Sequence, residues 1–229
     1  MAATSSSKSP LEDYNALSAF DQWRVSMSVA TGFATPDQVA QYQAYRDDTH
    51  RLPQLERCRS TRDFLINSSP GVLFMLNELK KVGCELPTES ISCEPCVAQK
   101  GGFQPGHGVK ICSNQVVQTG EVEKTLMHEL IHAFDHCRFK VDWMNSKHHA
   151  CSEIRAASLS GECGWWREYK AGNTGMTDIA KHHQDCVRRR AIRSVAVHPK
   201  VKDQEEAKFL VNAVFDSCFQ DTRPFERMY

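Results

Sequence analysis

Apolar positions recur at helical spacing along most of the chain, and capping residues mark where the helices begin and end. Ser69 precedes Pro70, and Gly83 follows the apolar stretch, so this segment predicts a helix with a serine N-cap and a glycine stop. The same spacing predicts three further helices, over about 121–139, 147–160 and 203–219. Asp203 and Glu206 have the spacing of a capping box at the start of the last one.

The segments outside these helices divide the chain into two parts. Residues 1–55 are Ser-rich and then polar, with weak helical periodicity, and predict a peripheral N-terminal extension. Residues 56–229 are expected to form one domain of a size that buries a core. Within it, residues 84–112 are rich in Cys, Gly and Pro and end in a short strand-like piece. Helices dominate and strands are few, which predicts a mainly helical α+β fold.

Charge and hydropathy exclude two classes of function. The chain has 28 basic and 28 acidic residues and a pI of about 7.1, so no nucleic-acid partner is expected from net charge. The longest uninterrupted apolar run, Val72–Leu76, is far shorter than a membrane-spanning helix. The first ten residues contain no apolar segment of the secretory type and no Arg-rich amphipathic pattern, so neither kind of targeting signal is expected there.

The chain contains ten cysteines, an even and unusually high number. A disulfide framework in an oxidising compartment is the interpretation that this number favours. Cys93 and Cys96 have the spacing of half a zinc ribbon, but no second pair of that spacing follows. Cys137, Cys151 and Cys163 lie on or beside the helices predicted to carry the chemistry, where a bridge among them would fix the third ligand against the first two. The sequence does not determine the pairing, but we expect most of the ten cysteines to be oxidised.

One motif carries the candidate chemistry: His128-Glu129-Leu130-Ile131-His132, within the helix predicted over 121–139. Residues four apart share a helix face, so His128 and His132 can bind one Zn²⁺ ion. Glu129 lies beside that face, where it can act as the general base of a zinc endopeptidase. We therefore predict one catalytic Zn²⁺, with Glu129 as the catalytic residue.

Such a site needs a third protein ligand. Glu153 is the prediction, because it lies 21 residues after His132 on the next predicted helix. His149, one turn earlier, and Asp142 are alternatives that the spacing leaves open. Asp135 lies close to His128 on the helical wheel, and could accept a hydrogen bond from a ligand imidazole or be solvated.

Several segments together resemble one family, the mitochondrial inner-membrane metalloproteases that process ATP synthase subunit 6 and assist assembly of the membrane sector. The resemblance covers about residues 56–229 and is carried by 128–135, 141–143, 148–156, 159–163, 69–75, 101–103 and 221–225. It implies a zincin-like fold with disulfides and His128, Glu129 and His132 as site residues. In such a fold, strand Val109–Cys112 would border the cleft and pair with an extended substrate, and the alternative is a plain structural hairpin.

The resemblance also implies partners and a location. These are the ATP synthase subunit 6 precursor, assembly intermediates of the synthase, and the inner membrane, to which the protein would bind peripherally from the intermembrane space. The cluster Arg188-Arg189-Arg190 with Arg193 could contact anionic lipid or be a solvated helix face. An alternative function is a non-catalytic assembly factor with a structural metal site, with or without a nuclear DNA-repair partner, since some family members have been named as such partners.

Overall fold

A computed structural model describes residues 9–173 and 179–226. The ends of the two predicted parts, residues 1–8 and 227–229, therefore lie outside the described residues. The chain divides into two compact units, Met1–Arg57 and Cys58–Tyr229. None of the helices among the described residues is long and apolar enough to cross a membrane.

The first unit is helical. Its helices are α1 (Pro10–Asn15), α2 (Ala19–Thr31), α3 (Pro36–Arg46) and the start of α4 (Leu52–Ser68), with a π-helical turn at Asp47–Arg51. Thr35 caps α3 in a capping box with Gln38. Tyr14 is buried against the rings of Tyr42 and Tyr45, and forms a small aromatic core for this unit.

The second unit contains the remaining elements. After α4 these are α5 (Pro70–Lys81), β1 (Ile91–Glu94), β2 (Gly101–Gln104), β3 (Gly108–Cys112), α6 (Thr119–Phe139), α7 (Ser146–Leu159), α8 (Trp165–Lys170), α9 (Ile179–Val195) and α10 (Gln204–Phe219). This is the mainly helical fold with a small sheet that the sequence predicts. The predicted bounds of α5, α6, α7 and α10 agree with the structure to within about two residues.

One predicted cap forms only in part. The Asp203 side chain accepts a hydrogen bond from the Glu206 N–H, as predicted for the start of α10. Glu206, however, accepts from the Lys202 N–H instead of returning a bond to Asp203. In a complete capping box the Glu206 side chain would accept from the Asp203 N–H, and here it accepts from the N–H of the preceding residue.

The sheet has the order β1-β3-β2, with β1 parallel and β2 antiparallel to β3. The expectation that Val109–Cys112 pairs with substrate is wrong, because β3 is the central strand and is hydrogen-bonded on both sides. The exposed edge beside α6 is β2. Gly108, at a φ of +96°, lies so close to Ser90 that a Cβ there would be 2.2 Å from the Ser90 carbonyl oxygen.

Helix α6 is the central element of the second unit, since it packs against α5, α7, β2 and β3. Its apolar residues Leu126, Leu130 and Ile131 are fully buried. Its polar residues Glu129 and His132 are also buried, at 7% and 6% exposure. These polar side chains are therefore enclosed by the fold and not exposed on its surface. Buried polar groups that lie together in this way form a candidate functional site.

All ten cysteines form disulfides, as the high cysteine number predicts. The pairs are Cys58–Cys93, Cys84–Cys137, Cys96–Cys112, Cys151–Cys218 and Cys163–Cys186. Cys137, Cys151 and Cys163 are not bridged to one another, because each bonds to a cysteine in a different element. Cys93 and Cys96 are both oxidised, which excludes the zinc-ribbon interpretation.

Three of the four arginines in the basic cluster are held by carboxylates. Arg188 lies 3.7 Å from an Asp216 carboxylate oxygen and stacks on Phe215, and Arg189 pairs with Glu168. Arg190 pairs with Glu162 at 2.6 Å. The residues of this cluster are therefore engaged within the fold, except for Arg193, which is exposed.

The disulfide pattern makes a testable prediction about stability. Replacing both Cys151 and Cys218 by Ser should destabilise the protein more than the same change at Cys96 and Cys112, because the loops closed span 67 and 16 residues. The chain-entropy account predicts an excess loss of about 1.3 kcal/mol. Urea unfolding of both double variants under non-reducing conditions measures it, and a smaller loss for the longer loop would contradict the prediction.

Candidate active site

Helices α6 and α7 bring three predicted ligands together. The Nε2 atom of His128 lies 3.5 Å from Glu153 Oε2, and the Nε2 atom of His132 lies 3.5 Å from Glu153 Oε1. One ligand atom from each residue lies within 4.8 Å of the others. The arrangement arises because His128 and His132 are one turn apart on α6 and Glu153 is in the middle of the neighbouring α7.

These distances fit a tetrahedral metal ion. Two ligands held at 2.0–2.1 Å by such an ion lie about 3.4 Å apart, close to both observed separations. Two imidazoles and one carboxylate are also a donor set that Zn²⁺ accepts, with one position left for water or substrate. His128, His132 and Glu153 thus form a candidate metal site whose geometry suits zinc.

Glu129 lies beside this site without belonging to the group of three ligand atoms. Burial raises the pKa of its carboxyl group to about 7, an effect that the nearby Glu153 and Glu162 reinforce and His128 opposes. A carboxyl group with a pKa near neutrality can both accept and return a proton under physiological conditions. The position and pKa of Glu129 therefore suit a general base.

The ligand residues have opposite electrostatic environments. Burial lowers the pKa of His132 to about 3, so its imidazole is neutral and can donate a lone pair to a metal. Burial alone would raise the pKa of Glu153, but its interactions with His128 and His149 hold that pKa well below its ordinary value. Glu153 is consequently an anion, the form that binds a cation.

A buried chain of hydrogen bonds orients His132. Its Nδ1 atom lies 2.8 Å from the Ser152 hydroxyl, which donates to Asp135 at 2.8 Å. Because that hydroxyl gives its single proton to Asp135, it accepts from His132 Nδ1–H and leaves Nε2 free for a metal. Asp135 also accepts from Arg155 at 3.0 Å, and Arg155 donates to the carbonyl groups of Asp221 and Arg223. The predicted role of Asp135 toward an imidazole is therefore indirect, with Ser152 between them.

Glu162 is a residue that sequence reasoning missed. Its Oε2 atom lies 3.7 Å from His128 Nδ1, too long for a hydrogen bond but close enough for strong electrostatic attraction. The same oxygen accepts from Arg190 at 2.6 Å. Glu162 belongs to a segment that carries the family resemblance, but nothing in its spacing indicates a role beside His128. Ser152 was missed for the same reason.

The two rival ligands occupy different positions. His149 Nε2 lies 3.3 Å from Glu153 Oε1 and faces the cleft, yet it is outside the group of three ligand atoms. Asp142 is exposed, and its carboxylate accepts a hydrogen bond from the Met144 N–H at 2.9 Å. The geometry thus favours Glu153 over both, with His149 as its neighbour.

The site opens into a cleft of about 510 Å³. One wall is the edge strand β2 with the residues before it, and the other includes Trp143, Arg190 and Arg193. Gly101 allows β2 to approach α6 closely, because a Cβ there would lie 2.6 Å from Thr125 Cγ2 and 3.1 Å from Glu129 Oε1. The absence of a side chain at Gly101 therefore determines how near the strand comes to the candidate base.

A helix carrying His-Glu-x-x-His, completed by a glutamate of the next helix and facing a cleft beside an edge strand, defines a class of peptidases. The comparison with known families agrees with this class. The chain belongs to the Peptidase M76 family, which it matches over residues 56–226.

Curated relatives cover nearly the whole chain. The mitochondrial inner membrane protease atp23 of Aspergillus niger is 45% identical over 210 residues, which are 91% of this chain and 88% of the relative. The protease of the same name from Coccidioides immitis is 43% identical over 98% of this chain and 96% of its own length. The one from Yarrowia lipolytica is 41% identical over 93% of this chain and 84% of its own. No solved structure is detectably similar to this chain.

The close approach at Gly101 predicts unequal effects of two neighbouring alanine substitutions. Gly101→Ala should lower the stability of the protein by about 1–3 kcal/mol, because its Cβ would overlap Thr125. Gly102→Ala is the control, since its Cβ would meet only the flexible end of Gln99 at 3.7 Å. Adding Thr125→Ser removes the atom nearest to the new Cβ and should recover part of the loss. Equal unfolding midpoints for Gly101→Ala and Gly102→Ala would refute the account.

Proposed function

We propose that this protein is a zinc-dependent endopeptidase of the mitochondrial intermembrane space that processes the precursor of ATP synthase subunit 6. We also propose that it assists assembly of the membrane sector of the synthase. The observation that carries the enzymatic part is the buried Glu129, which lies at the cleft beside a three-ligand site and is not one of the ligands.

Each residue at the site has a distinct role in this proposal. His128, His132 and Glu153 would hold Zn²⁺, which when bound lowers the pKa of water and polarises a peptide carbonyl group. Glu129 accepts a proton from the attacking water and later delivers it to the leaving amine. Ser152 and Asp135 keep the His132 tautomer whose Nε2 faces the site.

The edge strand β2 provides a way to hold the substrate. It is bonded to β3 along one side, and residues Gly101–Phe103 form part of the cleft wall. An extended peptide can add to such an edge through main-chain hydrogen bonds, which depend little on its side chains. This arrangement would align a scissile peptide bond alongside Glu129.

The relatives and the disulfides support the proposed location. The relatives are named mitochondrial inner membrane proteases. Five disulfides suit an oxidising compartment such as the intermembrane space. We therefore propose that the protein binds peripherally to the inner membrane and acts there on the subunit 6 precursor and on assembly intermediates.

The alternative is a non-catalytic assembly factor with a structural metal site. A structural site has no use for an ionisable group at its open side, whereas Glu129 is buried there with a raised pKa. The environment of Glu129 consequently favours the enzyme, and its substitution decides between the two functions.

The first test concerns the base. Glu129→Gln should retain the fold and the bound zinc, because Glu129 is not a ligand, and should lower peptide cleavage by about 10²–10⁴-fold. Cleavage of the subunit 6 precursor and metal content are measured on the same preparation. Near wild-type cleavage by this variant would exclude the proposed mechanism.

The second test concerns the metal ligands. His128→Ala, His132→Ala and Glu153→Ala should each release zinc, whereas His149→Ala and Asp142→Ala should retain it. Zinc content after dialysis against a weak chelator gives the order, with unfolding curves to show that each variant is folded. Loss of zinc in His149→Ala together with retention in Glu153→Ala would show that His149 is the third ligand.

A further inference from the structure

We propose that a groove next to the catalytic cleft binds an acidic side chain of the peptide substrate through Lys110 and Arg193. We call it the cationic groove, and it lies between the segment 95–99 and the last residues of α9 with Val197 just beyond them. The proposal rests on the endopeptidase function proposed above and adds a substrate preference to it.

The cationic groove is continuous with the catalytic cleft. Its volume is about 690 Å³, and it shares four lining residues with the cleft, namely Ala98, Gln99, Arg193 and Ser194. The segment 95–99 leads directly into the edge strand β2, along which an extended substrate would lie. A peptide that leaves the cleft at this end of β2 therefore enters the groove.

The groove is positively charged and lacks a neutralising partner. Lys110 and Arg193 both line it, and among its described lining residues none is Asp or Glu. Neither cation has an ion-pair partner among the described residues, whereas Arg190, on the same helix as Arg193, is held by Glu162. Two cations without a partner beside a substrate cleft favour an anionic ligand.

The groove is also apolar at its rim. Val97 and Val197 are 99% and 83% exposed and line the groove with the two cations. Such a rim suits a peptide segment, because the apolar atoms of the residues next to its acidic side chain can contact Val97 and Val197. We therefore assign the groove to an acidic residue of the substrate, and treat an anionic membrane surface as the competing outcome.

The experiment uses a peptide that the wild-type protein cleaves, with a single Asp placed at successive positions on each side of the cleavage site. At one position, Asp should raise kcat/KM about 5- to 10-fold over Asn, as expected for a charge-assisted contact in a partly exposed site. In Arg193→Gln and Lys110→Gln this Asp/Asn ratio should fall toward one. Arg193→Glu should reverse the preference, so that Lys at that position is favoured over Asp.

Lys181→Gln is the matched control. Lys181 is exposed on α9, 12 residues before Arg193 and about 18 Å away along the helix, and should leave the Asp/Asn ratio unchanged. An equal fall in this control would show that net charge is responsible, and would overturn the proposal. An Asp effect that is the same at every position would overturn it in the same way.

Two measurements separate this proposal from the proposed function and from membrane binding. The affinity of the Asp and Asn peptides for the Glu129→Gln variant, measured by fluorescence anisotropy, tests the groove without cleavage. If the wild type cleaves no peptide but this variant still binds the Asp peptide more tightly than the Asn peptide, only the enzymatic function is refuted. Binding to vesicles containing an anionic phospholipid is measured for Arg193→Gln and Lys110→Gln. Loss of vesicle binding with an unchanged Asp/Asn ratio would assign the groove to lipid and overturn the proposal.

Discussion

The structure depends on keeping three carboxylates and two imidazoles together in the protein interior. Glu129 and Glu153 are buried, Glu153 lies 3.5 Å from both His128 and His132, and Glu162 lies 3.7 Å from the Nδ1 atom of His128. Buried charges are stable only when they are paired or bind a metal. A divalent cation at the His-His-Glu site would offset this negative charge. Binding of zinc and stability of the surrounding fold are therefore expected to be coupled.

The surroundings of the site restrict how its ligands can move. Helix α7, which supplies Glu153, is linked to α10 by Cys151–Cys218 and packs against α6, α9 and α10. The chain His132–Ser152–Asp135–Arg155 extends this restriction to the carbonyl groups of the segment 221–223. The histidine tautomer is consequently determined by contacts that begin far along the sequence, near the C-terminal end.

The cleft combines a rigid centre with an adaptable edge. Its floor is the α6–α7 pair with the candidate ligands, and its side is a four-residue strand whose outer edge has no partner strand in the described sheet. This combination suits a protease, because main-chain pairing accepts many sequences while the reacting groups stay in position. Glycine at position 101 is what allows the two parts to meet.

The sequence alone determined the elements that depend on local signals. Helix α5 could be predicted from Ser69, Pro70 and Gly83, and the facing of His128 and His132 from their spacing on one helix. The spacing of Glu153 also predicted a residue that the structure brings to the histidines. These features depend on neighbours in the chain or on the repeat of a helix, so a single sequence contains them.

Only the tertiary structure decided the features that join distant segments. Three features are of this kind: the disulfide partners, the central position of β3 in the sheet, and the contact of Glu162 with His128. Each joins elements that are distant along the chain, and the sequence alone does not show which of them lie next to each other. Cysteines show no preference for a partner until folding brings their Cβ atoms within bonding distance. A strand likewise becomes an edge or a centre only when its neighbours pair with it. The candidate ligands could therefore be predicted from local spacing, whereas their hydrogen-bonded and charged surroundings required the folded chain.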